Sequence, residues 1–240
     1  MPPRVEGRPF ALLALVLVTA GLTACVGSDE VPPPSSSPTA AGRFSDAREL
    51  GETIQAAALA AGSASGEIDV QGPDGTARGT AEYRFAADGT DLSAQAVLAG
   101  PIDADVALVL LDDVLYLKVP PAFRWLAPTP WVSTPADGPA AGVAGTLQLQ
   151  TLLPGSDLAA ATDAQLRYLG LRRTPTGVAE VYQVEQPDRS RTYWVGEGDL
   201  VSRVETTSAD GTTSTAGYGA WGRPVTISPP PAAEVSDLPG

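Results

Sequence analysis

Few side chains in this chain could do chemistry. They are one cysteine, Cys25; two close carboxylate pairs, Asp103 with Asp105 and Asp112 with Asp113; the dipeptide Ser156-Asp157; and Trp125 and Trp131 in a proline-rich stretch. With no histidine in 240 residues there is no Ser-His-Asp or Cys-His arrangement, no imidazole ligand and no side chain that titrates near neutrality unperturbed. A single cysteine makes neither an intrachain disulfide nor a Cys-rich zinc site. Asp103 and Asp105 share one strand face, which offers too few oxygens for calcium's shell of about six to eight, and Asp112-Asp113 falls between two apolar runs where a tight turn belongs. No metal and no cofactor is expected. Ser156 has no base beside it in any recognisable motif, so no catalytic residue and no enzyme is expected. Trp125 and Trp131 could stack on sugar rings, gate a cavity mouth or plug the edge of a core. The formal charge of −13 argues against a nucleic-acid partner, because a phosphate backbone needs a basic surface to release its counterions.

Cys25 gains meaning from what precedes it. Arg4 and Arg8 form a positive start, and Phe10 to Leu22 form an apolar run too short to span a hydrocarbon core of about 30 Å as a helix. Residues 1–24 therefore read as a signal peptide. Leu22-Thr23-Ala24-Cys25 resembles the lipobox of bacterial lipoprotein precursors. That resemblance implies a diacylglycerol on the Cys25 sulfur, cleavage before it, and acylation of the new amine. Two or more acyl chains of the palmitate class, at about 0.8 kcal/mol per buried CH2, hold a protein to a membrane where one does not. Loss of residues 1–24 removes two arginines and one glutamate, taking the charge from −13 to −14, so acyl chains and not a polybasic patch would anchor the chain. Residues 25–43 then form a tether, with Val31-Pro32-Pro33-Pro34-Ser35-Ser36-Ser37-Pro38-Thr39 at its centre. At about 3.1 Å per residue the stretch Val26 to Gly42 reaches up to roughly 50 Å.

Residues 44–240 have room for one domain. Ser45 is placed to cap a helix in which Leu50, Ile54, Ala57, Ala58 and Ala61 recur at helical spacing until Gly62. From there the period changes to two. Glu67 to Val70, Thr80 to Phe85, Leu92 to Leu98, Ile102 to Leu111 and Val114 to Val119 read as strands, punctuated by Pro73-Asp74-Gly75, Asp88-Gly89 and Asp112-Asp113. The later ones are apolar on both sides, so both their faces meet something other than water. Pro120 to Gly145, with six prolines, reads as a loop. Thr146 to Leu153 and Ser156 to Leu169 read as helical turns. Strands return at about Leu166 to Arg173, Ala179 to Glu185, Arg191 to Val195, Leu200 to Thr206 and Thr212 to Tyr218, with hairpin turns at Glu197-Gly198-Asp199 and Asp210-Gly211. A sheet of about eight to ten strands must curl, and mid-chain helices would cover its concave side.

This layout resembles the LppX/LprG/LprA-type lipoproteins of actinobacteria, which are similar in fold to the LolA/LolB lipoprotein carriers. The run Tyr218-Gly219-Ala220-Trp221-Gly222-Arg223-Pro224-Val225-Thr226-Ile227-Ser228-Pro229-Pro230 carries the likeness, with Leu200-Val201-Ser202-Arg203 after an acidic-Gly turn. The resemblance implies an α+β fold: a curved antiparallel sheet forming an open half-barrel, with an N-terminal helix and mid-chain helices over its concave face. It further implies an apolar cavity for an acylated lipid or lipoglycan, trafficked or presented in the cell envelope from the outer face of the cytoplasmic membrane.

The residues expected to line that cavity are Tyr83, Phe85, Leu92, Leu98, Val106, Leu108, Leu110, Leu115 and Leu117, with Trp125 and Trp131 at its mouth. Arg78, Arg84, Arg124, Arg172 and Arg173 could serve as rim cations for an anionic head group. Burying a sixteen-carbon chain contributes about 10 kcal/mol before ordering costs, so a greasy groove suffices for affinity. The expected partners are the lipid, the membrane through Cys25, and an envelope transporter or acceptor protein. The competing expectation is a tethered envelope interaction domain with a filled core and no lipid.

Overall fold

The computed structural model describes residues 42–73, 75–86, 92–100, 105–136, 153–158, 161 and 163–237. Helix α1 runs Ala47–Ala61 and is the single α-helix among them. Its cap lies one residue later than expected. Asp46 accepts the Glu49 N–H at 2.8 Å, while the Glu49 carboxylate takes both the backbone N–H and the hydroxyl of Ser45. Asp46 is extended, the geometry a cap needs, and Gly62 ends the helix at φ 76°, donating to the Ala58 carbonyl. Leu50, Ile54 and Ala58 are buried on the inner side, as the spacing predicts.

Twelve strands follow: β1 Ser63–Gly72, β2 Gly75–Phe85, β3 Leu92–Ala99, β4 Asp105–Leu111, β5 Val114–Lys118, β6 Trp131–Pro135, β7 Gln165–Thr174, β8 Gly177–Gln186, β9 Arg189–Val195, β10 Val201–Ser208, β11 Thr213–Gly219 and β12 Val235–Asp237. They form one open sheet in the order β12-β6-β5-β4-β3-β2-β1-β11-β10-β9-β8-β7. Every pairing is antiparallel except that of β12 with β6. The two halves of the chain meet at β1 and β11, where Ser65 pairs with Gly219.

The turns follow the turn chemistry of the sequence. Asp112 and Asp113 have φ of 51° and 59°, the left-handed pair that a two-residue hairpin needs, and Leu111 pairs with Val114 across them. Asp210 accepts the Thr212 N–H beside Gly211 at φ 84°. Asp88-Gly89 lies outside the described residues, as do Asp103 and the helical turns expected over 146–152. The sequence reading needs three corrections. The proline-rich stretch contains a 3-10 turn at Pro121–Leu126 and then strand β6. Among the described residues, the helical reading of Ser156 to Leu169 gives way to turns at 154–158 and to β7 from Gln165. The C-terminal tail adds β12, giving more strands than the eight to ten expected.

Directly paired residues share a face. The ladder Ala64, Tyr83, Ala94, Leu110, Leu115, Thr134 and its neighbours therefore define one side, which is the side of the core cluster that contains Leu50, Ile54 and Ala58 of α1. Across the seam the same core takes in Tyr218, Tyr193, Tyr182 and Val184. Aromatic rings run through it from Phe85 to Trp221, Tyr218 and Tyr83 with centroids 6.1, 5.8 and 5.6 Å apart. Trp221 donates its indole N–H to the Val201 carbonyl at 3.2 Å, which is why a tryptophan and not a phenylalanine suits this place.

Candidate functional site

Nine of the eleven expected lining residues stand together. Register places Tyr83, Phe85, Leu92, Leu98, Val106, Leu108, Leu110, Leu115 and Leu117 on the helix side of β2 to β5. Tyr83, Phe85, Leu98, Leu108 and Leu115 are buried there, while Leu92, Val106, Leu110 and Leu117 are half-buried. The alanines Ala81, Ala94 and Ala96 lie among them, so the surface alternates small and large side chains.

Trp131 and Trp125 are not part of this group. Val132 pairs with Leu117 on the helix side, so Trp131, paired with Lys118, faces the other way. Trp125 sits on the 3-10 turn with 79% of its surface exposed. The expected rim cations are also dispersed. Arg78 and Arg84 alternate with Ala77, Tyr83 and Phe85 and so lie on the opposite face, where Arg78 pairs with Asp69 at 2.6 Å and Arg84 donates to Ser93 at 3.1 Å. Arg124 and Arg172 donate to the carbonyls of Val119 and Leu171, and Arg173 borders a pocket walled by Ser65, Glu67, Trp194 and Arg203.

The helix side holds a polar island that sequence reasoning missed. Arg191 of β9 is 2% exposed and forms an ion pair with Asp157, which hangs from the turn at residues 153–158. That turn is pressed onto α1, because a Cβ on Gly155, at φ 85°, would strike the Gly51 carbonyl and Ile54. Thr206 and Ser214 continue the same row across β10 and β11, and both are buried. Tyr83, Tyr193 and Tyr218 complete the surroundings. Burial pushes all three phenols above their ordinary value, and for Tyr218 the neighbouring phenols add to the effect, while Arg191 pulls Tyr193 and Tyr218 back in part. They remain neutral hydroxyls at physiological pH and can donate. The Tyr83 hydroxyl and Arg191 Nε have no hydrogen-bond partner among the described residues. The signal was present in the sequence: Arg191 alternates with Tyr193 and Val195, a cation at apolar parity.

The opposite face carries a cavity of about 720 Å³, within the range of small-molecule sites. After Tyr218 the chain turns at Ala220 and Gly222, with φ of 48° and 72°, and is tied to the start of β1 by the Gly222 N–H to Ser63 carbonyl bond and the Ser63 hydroxyl to Arg223 carbonyl bond. It then runs as a proline-rich strap that buries Ile227, contributes Ser228 and Pro230 to the cavity wall, and ends as β12 beside β6. Val97, Ala107, Val109 and Trp131 give apolar walls. Glu67 and Glu82 are the charged groups of the lining, with Glu82 accepting from Gln95. Such a cavity suits a neutral or cationic guest and repels an anionic one.

Among the described residues no three of His, Cys, Asp and Glu converge as a metal site requires, and no helix is long and apolar enough to cross a membrane. No protein-family model matches the chain, and no curated protein matches it. Solved structures do. LppX, a lipoprotein of Mycobacterium tuberculosis, is 14% identical with a TM-score of 0.47, over 75% of this chain and 98% of its own. MucB in its complex with MucA from Pseudomonas aeruginosa is 16% identical with a TM-score of 0.41, over 71% of this chain and 55% of its own. A LolA-superfamily protein of Nitrosomonas europaea is 13% identical with a TM-score of 0.34, over 76% of this chain and 96% of its own. Both groups named from the sequence, the LppX-type lipoproteins and the LolA superfamily, are thus among the solved structures that this chain resembles.

Proposed function

We propose that the protein is a non-enzymatic lipoprotein, anchored through acyl chains on Cys25 to the outer face of the cytoplasmic membrane, that holds an acylated lipid or lipoglycan against the helix side of its sheet. One observation supports this above the rest. A sheet of twelve strands is roughly 50 Å across along its curve, at about 4.8 Å per strand, whereas a single helix is about 10–12 Å wide. On β2 to β5 the coverage is incomplete, because Leu92, Val106, Leu110 and Leu117 stay half-buried beside the buried Tyr83, Leu98, Leu108 and Leu115. The Tyr83 hydroxyl, which has no hydrogen-bond partner among the described residues, stands at the β2 end of that surface as a donor for an ester or glycosidic oxygen.

A second reading has its own support. Tyr83, Leu98, Leu108 and Leu115 are fully buried by the chain's own atoms, as in a domain whose core is complete and whose role is to bind an envelope protein or glycan. Native mass spectrometry of residues 42–240, produced in a lipid-containing host, separates the two. A hydrophobic adduct that survives gentle ionisation and is lost in a Leu108→Trp variant that still folds is the expected result; a bare mass overturns the lipid reading. Anchoring is tested on its own by alkyne fatty-acid labelling, which should be abolished in Cys25→Ala cells.

A further inference from the structure

The segment from Val114 to Ala136 contains two basic residues, Lys118 and Arg124, and no acid, in a chain whose formal charge is −13. It forms β5, the 3-10 turn at Pro121–Leu126, and β6. The turn is braced. Pro120 and Pro121 fix its entry, the Val119 N–H to Pro130 carbonyl bond of 2.8 Å closes its base, and Arg124 Nε reaches back to the Val119 carbonyl at 3.0 Å. On this braced turn Trp125 is 79% exposed and Phe123 38%. A folded domain ordinarily keeps its largest apolar side chains inside, so two aromatic rings held out on a stiff support call for a partner.

Charge and size identify that partner. Neither Lys118 nor Arg124 has a carboxylate partner among the described residues. The acids nearest by register are Glu234, just before β12, and Asp237 at its end, which pairs with Ser133 on the far side of Trp131 from the turn and accepts the Ser133 hydroxyl; the turn itself carries only its own cations. Two aromatic side chains expose far less than the roughly 800 Å² per partner of a stable protein interface. Amphipathic rings flanked by cations match instead the interfacial layer of a bilayer, where indoles sit at head-group depth and Lys and Arg meet phosphates. We infer that the Pro121–Leu126 turn seats on a phospholipid surface, with Trp125 and Phe123 in the interfacial layer and Arg124 and Lys118 at the phosphates. This orients the domain on the membrane and is independent of whether the sheet carries a lipid.

All four tryptophans, at 125, 131, 194 and 221, lie beyond the N-terminal segment, so their fluorescence reports on the domain and not on an anchor. The full chain is reconstituted in vesicles of phosphatidylcholine and phosphatidylglycerol with brominated acyl chains, and in matched vesicles without bromine. Bromine should quench the emission of the wild type. Trp125→Phe should reduce that quenching several-fold, while Trp194→Phe should retain it, with far-UV circular dichroism unchanged in both. Equal quenching in Trp125→Phe and wild type, or none in either, overturns the inference. Lipid load by native mass spectrometry should be the same for Trp125→Phe and wild type, so failure of the membrane contact and failure of the cargo reading are told apart.

Discussion

The ion pair between Asp157 and Arg191 offers a sharp quantitative test of how the helix side is built. Arg191 is 2% exposed and Asp157 25%, so removing the carboxylate strands a guanidinium that water cannot reach, among Tyr193, Tyr218 and two buried hydroxyls. Breaking a buried pair from one side costs about 3–5 kcal/mol, whereas replacing both partners by apolar groups of similar volume is often neutral. Asp157→Ala should therefore destabilise by about 3–5 kcal/mol, lowering the melting temperature by roughly 6–20 °C for a domain of this size. Arg191→Met should cost only about 1 kcal/mol, because the carboxylate it leaves behind is near enough to the surface to be hydrated. The double variant should lie within about 1–2 kcal/mol of wild type, which gives a coupling of about 3 kcal/mol. Urea unfolding of the four proteins at neutral pH measures the cycle. Repeating it at high salt should leave the Asp157→Ala loss nearly unchanged, since a buried pair is barely screened. A loss below about 1 kcal/mol, or simple additivity in the double variant, would refute the claim that this guanidinium is dehydrated and that the turn it fastens is part of the core.

Two further tests concern the backbone and the phenols. A Cβ on Gly66 would fall on the Gly217 carbonyl oxygen, so Gly66→Ala should destabilise by at least about 1–3 kcal/mol, while Gly100→Ala, in open space, should be neutral or stabilise by up to about 1 kcal/mol, both read from chemical denaturation. Burial holds the folded-state values of Tyr83, Tyr193 and Tyr218 above the ordinary 10.0 of Tyr83 and its kind, so the unfolded chain releases these protons first as pH rises. The contribution of these phenols to stability should be flat from neutral pH to about pH 9 and fall above about pH 10, with tyrosinate absorbance from these residues appearing together with unfolding; a gradual titration in the folded protein at pH 10 would show the phenols to be wet.

Local chemistry made much of the fold readable. Asp112-Asp113, Glu197-Gly198-Asp199 and Asp210-Gly211 mark hairpins because few residues tolerate the backbone those turns require, and alternation fixed which side chains of β2 to β5 share a face. What escaped was decided at long range. Strand β6 lies in a run of prolines that argues against a strand, and it exists because β5 and β12 pair with it on either side. Strand β12 has three residues and a parallel partner far away in sequence, which no local pattern announces. Trp131 looked like a companion of the apolar lining because bulk says nothing about register; its pairing with Lys118 sends it to the other face. The burial of Arg191 required knowing that Asp157 would arrive from a separate turn.

The seam between β1 and β11 sets the order in which this molecule can be made. Strand β1 finds its second neighbour only when Tyr218 and the residues around it have emerged, since Gly66 pairs with Tyr218 and Gln71 with Thr213. Until then one flank of the early meander offers bare N–H and C=O groups to any passing strand, and the proline strap that runs past it comes later still. A chain with such distant closure cannot complete its sheet until β11 has been made, and pairing over so long a stretch of sequence slows folding. Truncation before Thr213 would leave two half-sheets with no shared strand to join them.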